Sequence, residues 1–217
     1  MSVAARENII RRIRERLRKP EAASEGARET VRAHLEAHAH SPRPPWDQDP
    51  AVRFCERALG LGSTVDEVDS SAAVPAAVAR YLAARSLPLR AAGWAEIAAL
   101  DWHAAGVQVM ARPAEDADAV GITGAFCGIA ETGTLVALSG ATTPGTVSLL
   151  PDTHVAVVSR SRIVRGMEEA WALIRAERGS LPRAVSFISG PSRTADIEQT
   201  VTLGVHGPYR VHIVVVR

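Results

Sequence analysis

Residues 120–150 read VGITGAFCGIAETGTLVALSGATTPGTVSLL, and this stretch decides the fold of the chain. It is rich in Gly, Thr, Ala and Val, and its single charged residue is Glu131. Glycines interrupt its strand-like composition at short intervals, which indicates sharp turns, bulges, or places where another backbone or a ligand comes close. The apolar run 120–141 is long enough to raise the question of a membrane span. Its central carboxylate and repeated Gly and Thr favour a buried sheet instead.

The composition argues against several classes of protein. The chain has 217 residues, enough for one domain with accessory elements or for two small domains. A formal net charge of +1 and an aromatic content of 4% argue against nucleic acid as a partner. The two cysteines, Cys55 and Cys127, belong to no CxxC pair, so we expect neither a metal site nor an iron–sulfur cluster built by this chain alone. Few cysteines and no apolar leader predict a cytoplasmic protein.

Residues 1–50 are predicted to form a helical arm followed by a Pro-rich linker. Residues 6–18 carry apolar and arginine side chains on different faces of a helix, and residues 21–40 form a second candidate helix. The first helix either meets an anionic surface or partner, or docks on its own domain or on a neighbouring subunit of a homo-oligomer; we favour docking. His34 and His38 are spaced to clasp a metal, but no carboxylate or Cys completes the set, which favours a solvated helix end.

From residue 51 to residue 217 the pattern alternates between helices and strands. Helices are predicted at residues 51–62, 71–87, 93–100 and 166–178, and a further helix is expected to begin within residues 194–200. Strands are predicted at residues 63–69, 88–92, 107–112, 118–126, 153–159, 183–190 and 209–216. The near-continuous apolar runs at 153–159 and 183–190 are typical of strands buried on both faces. This alternation predicts an α/β domain with a mostly parallel sheet flanked by helices and a small antiparallel element within residues 120–150.

Three glycine-containing loops are candidates for a ligand site, because ligands of open α/β sheets bind at the carboxyl ends of the strands. They are GIAETG at 128–133, GPSRTAD at 190–196 and GVHGP at 204–208. The second loop follows a predicted strand and opens a predicted helix, where free backbone N–H groups, hydroxyls and an arginine suit an anion. Plain helix capping explains the same residues equally well. The candidate ligand-binding residues of this loop are Gly190, Ser192, Arg193 and Thr194.

Glu131 and His206 are the candidate catalytic residues. In the first loop, Glu131 is either a nucleophile or general base, or a structural carboxylate that accepts backbone N–H bonds. Its neighbours Thr132, Gly133 and Thr134 are candidates for contacting a ligand oxygen, although the two threonines could equally bond their own backbone. His206 lies between glycines and either acts as a general base or hydrogen-bonds a carbonyl. Cys127 has apolar neighbours, which predict a buried, inert thiol.

Four segments of the chain resemble a known family. They are AETGTLVALSG (130–140), LLPDTHVAVV (149–158), FISGPSRTADIE (187–198) and GVHGP (204–208). Together they resemble the LUD domain, the lactate-utilisation family, and in particular its LutC/YkgG branch. The resemblance covers residues 51–217 and implies a NagB/RpiA/CoA-transferase-like fold. It also implies a role in oxidising L-lactate to pyruvate, together with partner proteins that carry iron–sulfur clusters.

We therefore expect a non-redox component of a lactate-oxidation system, with a cleft for a small carboxylate or an anionic cofactor. In this hypothesis Arg193 holds the negative group, and Glu131 and His206 bind or move a proton. One alternative is a stand-alone CoA-transferase-like or isomerase-like enzyme that uses Glu131, since the related CoA-transferases attack with a glutamate in a Gly-containing turn. A further alternative is an assembly module for iron–sulfur partner proteins, in which the arm docks a partner.

Overall fold

The computed structural model describes residues 3–18, 23–40, 42–195 and 200–217. The chain divides into two compact units, Met1–Pro45 and Trp46–Arg217. In the first unit, helices α1 (Val3–Arg16) and α2 (Glu25–Ala37) form where helices are predicted. The Ser24 hydroxyl begins α2 by accepting the N–H of Ala27. The apolar side chains of both helices are largely exposed, among them Ile9, Ile13, Val31 and Leu35.

The second unit is an α/β domain. Its helices in chain order are α3 (Pro50–Gly60), α4 (Val74–Ala84), α5 (Ala95–Ala98), α6 (Thr146–Leu149) and α7 (Met167–Arg178). Its strands are β1 (Thr64–Val68), β2 (Arg90–Gly93), β3 (Gln108–Ala111), β4 (Val120–Gly124), β5 (Cys127–Ile129), β6 (Thr134–Leu138), β7 (Thr153–Ser159), β8 (Ile163–Val164), β9 (Val185–Ile188), β10 (Arg193–Thr194), β11 (Thr202–Leu203) and β12 (Arg210–Val216). In the described part of the chain, no helix is long and apolar enough to cross a membrane.

Six of these strands form a parallel sheet in the order β1–β12–β7–β4–β2–β3. The predicted α/β fold is therefore confirmed. The central strand β7 spans the predicted residues 153–159, and five of its seven residues are buried, because strands on both sides and helices on both faces exclude water.

Local sequence signals explain where the helices of this domain begin. Asp49 caps α3 by accepting the N–H groups of Ala51 and Val52, and Pro50 occupies the first turn, where its missing N–H costs nothing. Pro75 lies in the first turn of α4 in the same way, as predicted. The buried residues of α3 are Ala51, Phe54 and Ala58, which lie on one face of the helix.

The stretch 120–150 supplies both the centre of the parallel sheet and the antiparallel element. After β4 the chain turns into β5 and β6, which pair antiparallel as predicted, and with β8 and β9 they form a second, four-stranded sheet. Two glycines permit close packing here. A Cβ atom at Gly121 would lie 2.0 Å from the carbonyl oxygen of Val147, and one at Gly128 would lie 3.0 Å from the Phe54 ring. The backbone of β4 can therefore approach α6 directly.

A strand forms within the predicted residues 183–190, but its predicted burial on both faces is wrong, and so is the predicted helix start at Thr194. The strand at 183–190 is β9 in the second sheet, where it pairs antiparallel with β6 and is only half-buried. The helix expected within residues 194–200 does not begin at Thr194, because Arg193 and Thr194 form a short antiparallel ladder with β11. Residues 196–199 lie outside the described part of the chain.

Two buried histidines make the stability of the domain depend on pH. His154 on β7 is fully buried with Nε2 2.8 Å from the Thr123 hydroxyl, and burial lowers its pKa from 6.5 to about 4. Burial likewise lowers the pKa of His212 on β12 to about 4, and the nearby Asp66 carboxylate offsets that effect in part. Both rings are neutral in the folded protein at pH 7.

We expect the free energy of unfolding to fall as the pH drops from 6.5 towards 4. Over this range both histidines become protonated in the unfolded chain but stay neutral in the folded protein. This difference lowers the free energy of unfolding by about 3 kcal/mol per histidine by pH 4. Urea unfolding at successive pH values measures this. His154→Gln and His212→Gln should each flatten the slope, whereas His103→Gln, at an exposed position, should leave it unchanged. An unaltered slope in both buried variants would contradict this account.

Candidate functional site

The turn that carries Glu131 packs its backbone directly against α3. Gly133 has a φ of +66°, and its N–H bonds the carbonyl of Ile129 to close the turn. A Cβ atom at Gly133 would lie 2.5 Å from the backbone nitrogen of Ala58 and 2.7 Å from the carbonyl carbon of Arg57. Both the positive φ and this contact require glycine. The requirement for glycine here is therefore explained by packing, without a ligand.

Glu131 presents an uncommitted carboxylate. Its backbone N–H donates to the carbonyl of Arg165, which follows β8, at 3.0 Å, and its side chain is partly exposed. Within the described residues, the carboxylate makes no hydrogen bond and no ion pair. This arrangement does not match the structural alternative, in which the carboxylate accepts backbone N–H bonds from its own turn. It leaves the group available to solvent or a ligand.

A chain of hydroxyl groups runs from this turn to β9. The Thr132 and Thr134 hydroxyl oxygens lie 2.7 Å apart, and Thr134 reaches the Ser189 hydroxyl at 2.8 Å. Thr134 is buried and uses its hydroxyl inside the protein, whereas Thr132 is at the surface. Ser189 is missing from the sequence-based candidates because only the pairing of β6 with β9 brings it here.

The loop after β9 is fastened to the end of α3 as well. Gly190 has a φ of +83°, and a Cβ atom there would lie 2.8 Å from the carbonyl oxygen of Leu61. The same carbonyl accepts a hydrogen bond from Nη2 of Arg193 at 2.6 Å. No helix start supplies free N–H groups at residues 190–195, so the anion-binding argument from a helix N-terminus does not hold for this loop.

The GVHGP loop packs on Ser192. The Ser192 N–H donates to the carbonyl of Pro208, and its hydroxyl accepts the backbone N–H of His206 at 3.3 Å. This loop immediately precedes β12, so it lies at the amino end of that strand and not at a carboxyl end as expected. The prediction about the edge of the sheet is therefore wrong for this loop. The reason is that the preceding segment returns as the β10–β11 hairpin rather than as a crossover helix.

The structure brings the glutamate turn and the Arg193 loop together at the C-terminal end of α3. Gly133 contacts Arg57 and Ala58 there, whereas Gly190 and Arg193 contact Leu61. His206 joins the Arg193 loop through Ser192, and its side chain is exposed. These contacts place the candidate residues around one helix end, without bringing the Glu131 carboxylate and the Arg193 guanidinium into contact.

Arg193 also lines a small pocket of about 210 Å³, which we call the cationic notch. The notch lies at the amino ends of β1 and β12, and its three charged lining residues are Arg85, Arg193 and Arg210. None of these guanidinium groups forms an ion pair with a described residue. Thr64, Tyr81 and Tyr209 are further lining residues that carry hydroxyl groups. Three unpaired cations around a small volume make a site for an anion.

His212 supports one wall of the notch without adding charge. Its ring stacks on Tyr81 with centroids 3.8 Å apart, and its Nδ1 lies 2.9 Å from the Thr64 hydroxyl. Since burial keeps the pKa of His212 near 4, the ring is neutral at pH 7 and orients two lining residues. Sequence reasoning missed Arg85, Arg210 and His212 because they come from α4 and β12, which only the tertiary structure makes neighbours.

Cys127 and four of the candidate site residues lie outside the cationic notch. Cys127 is fully buried, and burial raises the pKa of its thiol to about 11, which confirms a buried thiol that stays protonated at neutral pH. Glu131, Ser192, Thr194 and His206 do not line the cationic notch. Across the described ranges, no group of three or more His, Cys, Asp or Glu residues is arranged to hold a metal ion.

The fold and the notch define a class of protein: a parallel α/β domain with a second sheet and an arginine-lined site at the amino edge of its main sheet. The LUD domain family model matches residues 51–216, and the chain belongs to this family. It is 42% identical over 118 residues to lactate utilization protein C of Geobacillus sp. (strain WCH70), covering 53% of this chain and 48% of that protein. The corresponding protein of Bacillus subtilis (strain 168) is 39% identical over 119 residues, covering 54% of this chain and 49% of that protein. The chain thus spans about half the length of these curated relatives.

A solved structure has the same fold. A crystal structure of a DUF162 family protein from Deinococcus radiodurans, at 1.70 Å resolution, matches with a TM-score of 0.60 and 27% sequence identity. The match covers 80% of this chain and all of the other chain. It supports the α/β architecture described above.

Gly133→Ala should destabilise the domain by about 2–4 kcal/mol, because the new methyl group combines a strained φ with overlap of the α3 backbone. Chemical denaturation of both proteins measures the difference. Gly145→Ala is the matched control, since a Cβ atom there meets nothing within 4 Å and the φ of Gly145 is −62°. Equal stability of the two variants would show that the turn does not depend on this contact.

Proposed function

We propose that the chain is a non-redox component of an L-lactate utilisation system in the cytoplasm, and that its cationic notch binds a small carboxylate. The single observation that carries the ligand part is the set of three guanidinium groups without carboxylate partners around about 210 Å³. The names of the relatives support the choice of system. Lactate and pyruvate each carry one carboxylate, which an arginine of the notch can bind, and both are small enough for a volume of about 210 Å³.

Each lining group has a part in this proposal. Arg193 offers a planar fork for the two carboxylate oxygens, although its Nη2 also holds the carbonyl of Leu61. The hydroxyl groups of Tyr209 and Thr64 suit the 2-hydroxyl or 2-keto oxygen, because a hydroxyl both donates and accepts. The turn of Glu131 packs on α3, and the backbone of His206 bonds Ser192. In the proposal, Glu131 and His206 bind or move a proton of a ligand that extends beyond the notch.

The partners in this proposal are iron–sulfur subunits that carry the electrons. One support is the family resemblance. The other is that burial raises the pKa of both cysteine thiols of this chain to about 11, so both are protonated at pH 7, whereas iron–sulfur clusters are held by thiolates. The apolar face of α1 is the surface assigned to them, because Ile9 and Ile13 are each about half exposed and arginines flank them.

Arg193→Lys should weaken lactate or pyruvate binding by roughly tenfold or more, because lysine keeps the charge but loses the bidentate fork. Isothermal titration of the full chain measures this, with circular dichroism to confirm folding. Arg183→Lys is the control, since Arg183 is exposed and lies outside the notch. Unchanged binding in Arg193→Lys would contradict the assignment. Turnover of an acyl-CoA that Glu131→Gln abolishes would instead favour the CoA-transferase-like alternative.

The double variant Ile9→Ser, Ile13→Ser should reduce co-purification with iron–sulfur subunits of the same system, because it removes the apolar face of α1 while keeping its charge. Affinity purification of the tagged full chain, followed by iron quantification, gives the readout. Val31→Ser on α2, also exposed, is the control. Full recovery of iron in the double variant would rule out α1 as the docking surface.

A further inference from the structure

A second and larger cleft lies at the carboxyl edge of the parallel sheet. Its volume is about 640 Å³, and it includes Trp94 and Ala125, which directly follow β2 and β4. These strands are neighbours in the sheet and run parallel, so their carboxyl ends meet at one place. This is where open α/β sheets bind ligands. None of the residues singled out from the sequence lines this cleft.

The floor of the cleft holds an uncommitted carboxylate against the end of a strand. A Cβ atom at Gly124 would lie 2.3 Å from Oε1 of Glu96, so the carboxylate rests against the end of β4, where glycine has no side chain. In the described part of the chain, Glu96 makes no side-chain hydrogen bond and no salt bridge. The side chain is exposed to the cleft and to solvent. The fold therefore places an acceptor at the carboxyl edge without using it internally.

Another part of the lining presents a cation that forms no salt bridge with a described residue. Arg162 is fully engaged: its Nε donates to the carbonyl of Phe126 at 2.9 Å, and its two other nitrogens bond the Glu177 carboxylate. Arg178, next along α7, has its guanidinium 5.4 Å from the centroid of the Phe126 ring and forms no salt bridge with a described residue. The neighbouring ion pair thus fixes the wall and leaves Arg178 available to an anion.

The rim of the cleft is already in place without a ligand. The indole N–H of Trp94 donates to the carbonyl of Pro144 at 3.1 Å, and the hydroxyl of Thr143 donates to the carbonyl of Leu138 at 2.9 Å. These bonds fasten the loop of residues 139–145 over the carboxyl ends of the strands. A ligand would therefore bind with little ordering of the loop.

We propose that this cleft binds a nucleotide whose base carries an exocyclic amine, with the phosphate on Arg178 and the amine on Glu96. A volume of about 640 Å³ is within the usual range for nucleotide-sized ligands and is three times that of the cationic notch. The carboxylate of Glu96 can accept a hydrogen bond from the amine of the base, and the guanidinium of Arg178 can bind the phosphate. The apolar walls can contact the ring of the base. The apolar lining residues are Trp94, Phe126, Leu138, Leu181 and Pro182.

The cationic notch and this cleft lie at opposite edges of the sheet, so each would bind a ligand of its own. The cationic notch lies at the amino ends of β1 and β12, whereas this cleft lies at the carboxyl ends of β2 and β4. All strands of the sheet run in the same direction, and strands of four to seven residues separate its edges by roughly 13–23 Å. One small molecule cannot occupy both sites.

Isothermal titration of the full chain with AMP, GMP, CMP and UMP tests the proposal. We expect the three amine-bearing nucleotides to bind at least fivefold more tightly than UMP, which has a carbonyl in place of the amine. Arg178→Gln should weaken all four by tenfold or more. Glu96→Gln should abolish the base preference, because the amide can donate to the uracil carbonyl and can also accept from an amine. The matched controls are Arg175→Gln, exposed on the same helix, and Glu56→Gln, exposed on α3.

Two results would overturn the proposal: no binding of any of the four nucleotides by the folded chain, or equal affinities in the wild type, Arg178→Gln and Glu96→Gln. Arg193→Lys separates this proposal from the carboxylate site, since it should leave nucleotide affinity unchanged. Loss of lactate binding with intact nucleotide binding would then concern the notch alone. Circular dichroism confirms that each variant is folded.

Discussion

The rest of this structure depends on the close approach of backbones that the glycines of residues 120–133 permit. Gly121 lets α6 pack onto β4, Gly128 makes room for the Phe54 ring, and Gly133 lets the turn after β5 touch α3. A side chain at the first or last position would overlap backbone atoms, which cannot move aside as a flexible side chain can. Through these contacts one stretch of chain holds the centre of the parallel sheet, the second sheet and α3 together.

This packing also decides where chemistry can take place. Because the glutamate turn and the loop after β9 both rest on the end of α3, the candidate residues gather beside the amino ends of β1 and β12. The carboxyl ends of β2 and β4 remain open under the loop of residues 139–145. The sheet therefore carries two clefts on opposite edges.

Much of the fold follows from local patterns. The apolar run at 153–159 gives a buried strand because almost any arrangement of an α/β chain places it at the centre of a sheet. The caps at Asp49 and Pro75 mark helix starts through their own hydrogen bonding and dihedral angles. The strand within residues 183–190 shows what a local pattern cannot predict: the pattern indicates a strand, but it does not indicate which strand pairs with it. Pairing with β6 in a second sheet depends on residues 47 to 53 positions earlier in the chain.

By itself, the sequence determined the class of fold, the positions of most helices and strands, the hairpin after β4 and the family. These features depend on interactions between residues close in the chain, or on motifs read as continuous segments. Only the tertiary structure decided that Arg85, Arg193 and Arg210 share one notch, and that Glu96 and Arg178 line one cleft. Those groups come from separate elements, and their distances are set by the packing of helices and strands rather than by any local pattern.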